Sequence, residues 1–386
     1  MEIFSIKFVD SPGVMIFLLV QVLIAITNAI LMKRLGRFPK AKRNPKVSIL
    51  VPARNEAETI GKCIDSLLEQ DYPNLEIIVL SDNSTDRTEA ILNNLKSERL
   101  RVINGKPLPD AWIGKSWACQ QLANEANSEL ILFTDADTTF QPKTIGYAVD
   151  ALEKGNIDLL TATIRNDTIT LGEKITVPFP TWSIFSILPL FIAYLLPRST
   201  AFSAANGKFM FFRKEVYERI GGHTAIRNNA VEDIELGKLV KKNGYRWRLL
   251  DASNLISCRM YHSLAESIQG FTKNYFALFG YKLFVALFVW IWLGIITWHP
   301  IVTILSHILT GNFLSGFWYP LVSILATGFL WLLTSLKFNF PIHLFLLYPL
   351  IITVSGYIGL RSIFLTLTGQ TVWKGRKIAR RKIRLI

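Results

Sequence analysis

Asp135-Ala136-Asp137 follows the apolar run Leu130-Ile131-Leu132-Phe133. Two carboxylates at the end of a buried strand can hold Mg²⁺ or Mn²⁺, hard cations that take oxygen ligands and usually keep phosphate oxygens as partners. The same string also serves as a helix-capping turn, so its companions matter. Pro52-Ala53-Arg54-Asn55-Glu56 and Ser81-Asp82-Asn83-Ser84-Thr85-Asp86 each follow another apolar run. Asp82 could accept from a base and read a uracil N–H, whereas Asp86 is better placed to cap a helix or fix the turn. Gly114-Lys115 opens a helical stretch, and a helix N-terminus with a lysine is a natural diphosphate cradle. Lys115 alone also fits a solvated surface. Glu232-Asp233 precedes Ile234, Leu236, Leu239 and Val240. One of this pair could deprotonate an acceptor hydroxyl; both also suit a helix N-terminus.

The elements that must position these groups alternate. Val47–Leu50, Leu75–Leu80, Arg101–Ile103 and Leu130–Thr134 read as strands. Between them lie helical patterns over Glu56–Glu69, from Arg87, and over Gly114–Asn127. Such alternation predicts a largely parallel sheet covered on both faces, with ligands beyond the carboxyl ends of its strands. Asn55, Asp82 and Asp135 fall at such ends.

Half of the 386 residues are hydrophobic, and beyond Glu266 there is no Asp or Glu. Gly13–Met32 is long enough to span a bilayer, and Leu283–Leu309, Phe317–Leu336 and Ile342–Thr366 are three more long apolar stretches. Pro300 is a candidate break in the first of these three, since an even number of C-terminal crossings would keep the basic tail inside. Val177–Pro197, with four prolines, reads as an interfacial segment or a lipid-facing lid. The net charge of +14 is concentrated beside the apolar runs, at Lys33–Lys46 and Lys374–Arg384. That pattern points to the cytoplasmic face of a membrane and argues against nucleic acid as a partner. Cys63, Cys119 and Cys258 fit neither a disulfide framework nor a zinc site and read as free thiols.

The order PARNEA, SDNSTD, GKSWAC, DAD, Gly221-Gly222 and VED resembles the family 2 inverting glycosyltransferases of GT-A fold, over about Lys46–Lys273. WIGKSWAC, CRMY with GFTKN, and WKGR resemble a membrane subgroup that includes carotenoid- and hopanoid-associated enzymes. The resemblance implies an α/β GT-A nucleotide-sugar-binding domain with transmembrane helices at both ends. Residues 1–35 would be an N-terminal anchor and 36–276 a cytoplasmic catalytic domain. Residues 277–368 would be a C-terminal membrane region and 369–386 a basic cytoplasmic tail.

By the same resemblance, Pro52, Arg54 and Glu56 face the nucleotide and Asp82 reads uracil. Lys115 lies near the donor phosphates. Asp135 lies by the ribose, diphosphate and metal, and Asp137 is the metal ligand. Asp233 is the catalytic base, with Glu232 beside it. The QxxRW string of processive members is absent, so Arg259 or Arg376 would supply comparable diphosphate contacts. The expected reaction is transfer of a single sugar from a nucleotide-sugar, a UDP-sugar by this reading, to a lipid-like acceptor, with Mg²⁺ or Mn²⁺. The alternatives are a processive polysaccharide synthase and a non-catalytic membrane scaffold derived from a transferase.

Overall fold

The computed structural model describes residues 11–311, 316–373, 376–377 and 383–385. Ten strands lie between the apolar ends: β1 (Val47–Ala53), β2 (Leu75–Ser81), β3 (Leu100–Asn104), β4 (Leu130–Phe133), β5 (Thr138–Phe140), β6 (Leu159–Thr163), β7 (Arg165–Asn166), β8 (Met210–Arg213), β9 (Trp247–Asp251) and β10 (Ile256–Cys258). Seven form the main sheet in the order β3-β2-β1-β4-β8-β6-β9, and β5-β10-β7 form a small second sheet. In the main sheet, β8 runs antiparallel to its neighbours β4 and β6, while the other adjacent pairs are parallel. The central strands are apolar on both faces, as a covered parallel sheet requires. Ile49 and Val51 enter one hydrophobic cluster with Ile77 and Val79, while Leu50, Ile78 and Ile131 enter the other. That division is the period-two alternation of strand side chains.

The chain runs outward from β1 to β2 and β3, then returns to place β4 on the other side of β1. The strand order therefore reverses at β1, and a crevice opens where the following loops diverge. The loops after β1, β2 and β4 carry Arg54, Asp82 and Asp135. The antiparallel strand β8 starts beside the end of β4, with Met210 opposite Phe133, so the loop before β8 reaches the same edge.

The helix expected from Glu56 begins only at Ile60. Asn55 takes a left-handed φ of 52°, and the next backbone N–H groups turn across to the loop after β2. Glu56 N donates to Thr88 Oγ1 at 2.8 Å and Ala57 N to Asp86 Oδ2 at 3.0 Å. Asp86 therefore ties two loops together, since its other oxygen accepts from Thr88.

Among the described residues, four helices are long and apolar enough to cross a membrane: Ser11–Leu31, Leu283–Thr310, Trp318–Phe338 and Leu344–Leu367. At 1.5 Å per residue, about 20 residues reach across the ~30 Å hydrocarbon layer. Long apolar helices at both ends mark a multi-pass membrane protein. Pro300 sits inside one continuous helix, so the break expected there does not occur. The chain end returns to the start of that helix: Arg384 N donates to Tyr281 O at 3.0 Å, and Leu283 N donates to Arg384 O at 2.8 Å.

The proline-rich stretch after Val177 forms two short helices, Pro178–Ile187 and Leu190–Leu195. Pro178 sits in the first turn of one, where its missing N–H is not needed, and Pro189 opens the other. Neither helix is long enough to cross a bilayer. Both are fastened to the first membrane helix by buried Asn28, whose amide donates to Phe185 O and Leu188 O and accepts from Leu190 N. Trp182 stacks on Trp331 of a C-terminal apolar helix, ring centroids 5.0 Å apart. The first membrane helix, the proline-rich stretch and the C-terminal helices thereby share one core.

Candidate active site

Arg54 leaves β1 and reaches under the loop after β2, donating to Asp82 O at 2.7 Å and Asn83 O at 3.0 Å. Asp82 N donates to Ala53 O at 2.8 Å, which keeps the two loops in register. The Asp82 side chain is buried. Pro52 lies in β1 opposite Leu80, one residue before the strand ends. Glu56 stands in the turn that follows, its carboxylate accepting from Thr59 Oγ1 at 3.2 Å.

The chemistry-bearing groups converge beyond β4. Lys115, in the first turn of the Gly114–Glu125 helix, bridges Asp135 Oδ1 and Glu232 Oε1, both at 2.8 Å. Lys208 Nζ meets both oxygens of Asp137 at 2.6 Å and lies 3.5 Å from Asp135 Oδ2. Asp233 sits beside Glu232 at the start of the Glu232–Lys242 helix. Its Oδ2 accepts from Gly207 N at 3.0 Å and its Oδ1 from Ile234 N at 2.8 Å. A Cβ at Gly207 would stand 3.2 Å from Lys115 Nζ and 3.5 Å from Asp233 Oδ2, so backbone and site approach closely there.

Burial raises the Asp233 carboxyl, and the adjacent Glu232 charge raises it further, to about 6. Burial works the same way on Glu232, but Lys115 outweighs it and holds that carboxyl below its usual range. At Asp135 burial is outweighed by Lys115 and Lys208, and its pKa is lowered. Burial disfavours the charges of Lys115 and Lys208, yet their carboxylate partners keep both well above the ordinary lysine value. Two neighbouring carboxyls thus diverge: Glu232 stays ionised in an ion pair, while Asp233 is poised near neutrality, where a general base works best.

Three residues complete the surroundings. Lys208 and Lys273 were not among the candidates read from sequence. Lys208 follows the Asn206-Gly207 turn, and Lys273 falls within the GFTKN string. Burial lowers the pKa of Lys273, with Glu232, Asp135 and Asp233 acting in the opposite sense. His223, which follows the glycine pair, serves the scaffold. Its Nδ1 meets Tyr217 Oη at 2.8 Å, its ring packs edge-on to Phe133, and burial lowers its pKa to about 3.

Arg259 does not join this cluster by an ion pair among the described residues. Its guanidinium donates to fully buried Glu173 at 2.8 Å. Arg376 lies in a two-residue strand paired with Val372–Trp373, and its side chain falls outside the described residues.

Asp135 and Asp137 supply hard oxygen donors of the kind Mg²⁺ and Mn²⁺ take. Among the described residues no third His, Cys, Asp or Glu groups with them. The pair would fit a divalent cation that takes its other ligands from outside the protein, provided that Lys208 yields its hold on Asp137.

Residues 48–221 match the sequence model of glycosyl transferase family 2. The matched segment, somewhat under half of the chain, is a transferase domain similar to that family. The chain is 28% identical over 234 residues to a 4,4'-diaponeurosporenoate glycosyltransferase of Staphylococcus aureus (strain MRSA252), covering 59% of this chain and 60% of the relative. The protein of the same name from strain USA300 is 27% identical over the same shares. The match therefore spans about three fifths of these relatives' length. Among solved structures, a mannosyltransferase from Pyrobaculum calidifontis, in complex with GDP-Man and Mn²⁺, gives a TM-score of 0.48 at 17% identity, covering 93% of this chain and 99% of that one. A glucosyl-3-phosphoglycerate synthase from Mycobacterium tuberculosis gives 0.39 at 19% identity, covering 61% and 80%. The charged cluster sits at the sheet's carboxyl edge, where the loop after β4, the turn before β8 and the starts of the Gly114–Glu125 and Glu232–Lys242 helices meet.

Proposed function

We propose that this chain transfers a single sugar, with inversion, from a nucleotide-sugar to a hydroxyl of a lipid-like acceptor at the cytoplasmic membrane face. A UDP-sugar is the proposed donor. The observation that carries the reading is the Asp233 carboxylate. It is fixed by two backbone N–H groups, raised to about 6, and set beside the Lys115–Asp135–Lys208–Asp137 cluster.

In the proposed reaction Asp233 takes the acceptor hydroxyl proton. The acceptor oxygen forms its bond to the anomeric carbon as the bond from that carbon to the diphosphate oxygen breaks, and the nucleoside diphosphate departs. Attack opposite the leaving group inverts the anomeric centre. Lys115, at a helix N-terminus, faces the charge that develops on the leaving diphosphate. A bound Mg²⁺ or Mn²⁺, held by Asp135 and Asp137, would supply further charge neutralisation. Arg54, Pro52 and Glu56 shape the nucleotide side, and buried Asp82 reads the base.

An apolar acceptor is supported by the membrane helices and by relatives named for diaponeurosporenoate. The two short helices between Val177 and Pro197 are placed at the bilayer surface in this reading. Purified enzyme incubated with lipid extract, Mn²⁺ or Mg²⁺ and a panel of UDP-sugars tests the proposal by mass spectrometry. One hexose-type increment on one lipid class is the expected product. A ladder of increments would replace single transfer with polymer synthesis.

A further inference from the structure

Away from the transferase site, at the β9 edge of the main sheet, a cavity of about 280 Å³ opens between that strand and the Leu190–Leu195 helix. Lys241, Arg246 and Arg248 line it together with Tyr194 and Trp247, and no carboxylate does. Lys241 is 1% exposed, yet among the described residues its ammonium meets a carbonyl, Ala193 O at 2.8 Å, and the Trp247 ring at 5.1 Å, with no carboxylate. The Arg248 guanidinium lies 4.4 Å over the Tyr194 ring and donates to Trp247 O at 2.9 Å. None of the three cations forms a salt bridge among the described residues. Asp158, at this edge of the sheet, accepts from the Arg246 backbone N–H and faces Arg213. Burial and the Arg248 charge together bring the Lys241 pKa down to about 8. A buried cation normally has an anion beside it.

The opposite side of the same helix shows what kind of anion could arrive. Phe191, Leu195 and Leu196 project outward, 56%, 62% and 49% exposed. Asn28 binds the first residue of this helix to the last turn of the first membrane helix. An apolar outer face with basic groups directly behind it is the pattern of an element lying at the headgroup level.

We propose that this cavity binds the phosphate headgroup of an anionic lipid, docking the transferase domain on the bilayer at a place separate from the sugar-transfer site. The inference rests on the placement of the Val177–Pro197 stretch at the membrane surface. Lys241 and Arg248 meet the phosphate, Arg246 closes the open side, and the tyrosine and tryptophan rings hold the guanidinium and ammonium in place.

The test uses the full chain in nanodiscs of phosphatidylglycerol and phosphatidylcholine, with co-purified lipid counted by native mass spectrometry. The wild type should retain phosphatidylglycerol preferentially, and R246Q/R248Q should lose roughly tenfold of that preference. Both arginines are at least partly solvent-accessible, and UDP binding serves to show that the variant is folded. The variant K62Q/K96Q, at two exposed lysines of the transferase domain away from the cavity, should keep the preference. Equal retention of the two lipids, or a preference untouched by R246Q/R248Q, overturns the proposal. Release of the lipid by millimolar inorganic phosphate overturns the lipid assignment in favour of a soluble anion. A nitroxide on F191C separates this failure from failure of the underlying placement. A bilayer-immersed label with no lipid preference sinks the headgroup site alone, whereas a water-exposed label sinks both.

Discussion

Lys208 Nζ lies 2.6 Å from each carboxylate oxygen of Asp137, while the preceding residue, Gly207, donates its N–H to Asp233. One short loop thus touches both the aspartates proposed to hold a metal and the aspartate proposed as base. The loop is anchored from behind, because Asn206 N donates to Thr161 Oγ1 and its amide to Ala162 O. Lys208 stands as the counter-ion of Asp137, and a divalent cation must displace it. K208Q should therefore bind Mn²⁺ more tightly than the wild type in the absence of nucleotide, by roughly tenfold, the size of one charge-assisted hydrogen bond. Electron paramagnetic resonance of free Mn²⁺ during titration reads this directly. Equal or weaker binding in K208Q would show that Lys208 does not compete for the site.

D233N keeps the shape of the side chain and its contact with Gly207 but cannot take a proton. Turnover should fall by about 10²- to 10⁴-fold, the usual contribution of a positioned general base. UDP affinity by calorimetry should stay near the wild-type value, since Asp233 is assigned to the acceptor side. Undiminished turnover would remove Asp233 from the base role.

The sheet was legible in the sequence because its central strands are short apolar runs ending in polar turns, and the chemistry sits where those runs stop. Asp135, Asp137, Lys115, Glu232 and Asp233, each read from a local motif, lie in one cluster, and their roles are those proposed above. Lys208 was not legible. It lies 71 residues beyond Asp137 and reaches it only because β8 inserts between β4 and β6, out of chain order, with its start at the carboxyl edge of β4. No local periodicity encodes that insertion. Pro300 misled for a related reason. A proline alone does not reveal whether the surrounding helix continues, and here the packed apolar residues on either side carry the helix through it.

The pH profile follows from the sign of the Asp233 shift. A base must be deprotonated, so kcat/KM should rise with pH through about 6 and level off above it. Burial alone raises this carboxyl, and Glu232 adds to it. E232Q removes the neighbouring negative charge and frees Lys115, and both changes favour ionised Asp233. The acidic limb of the profile should therefore move to lower pH in E232Q. A limb that stays in place or moves upward would assign it to another group.

Gly222 tests the scaffold beneath the site. Its φ of +48° disfavours a side chain, and a Cβ there would come within 2.5 Å of the Tyr217 ring, the same ring whose hydroxyl holds His223. G222A must strain the backbone and push Tyr217 from between Phe133 and Phe212, at a cost of about 2–4 kcal/mol. The thermal midpoint should fall by several degrees. An unchanged midpoint would mean that the glycine turn relaxes freely.

Arg259 separates a donor contact from a structural one. The residue pairs with Glu173, which has 0% side-chain exposure and also accepts from the N–H groups of Ile169 and Thr170 at the start of the Leu171–Lys174 turn. R259M leaves that carboxylate buried without its cation. Breaking a fully buried pair costs about 3–5 kcal/mol, and since Arg259 is 32% exposed the loss here should be nearer 1–3 kcal/mol. R259M/E173Q removes the stranded charge and should recover part of the stability, because a neutral amide tolerates the site better than an unpaired carboxylate. Chemical denaturation of the two variants gives the comparison. A stable R259M whose only defect is weaker UDP binding would move Arg259 from the Glu173 pair to the diphosphate.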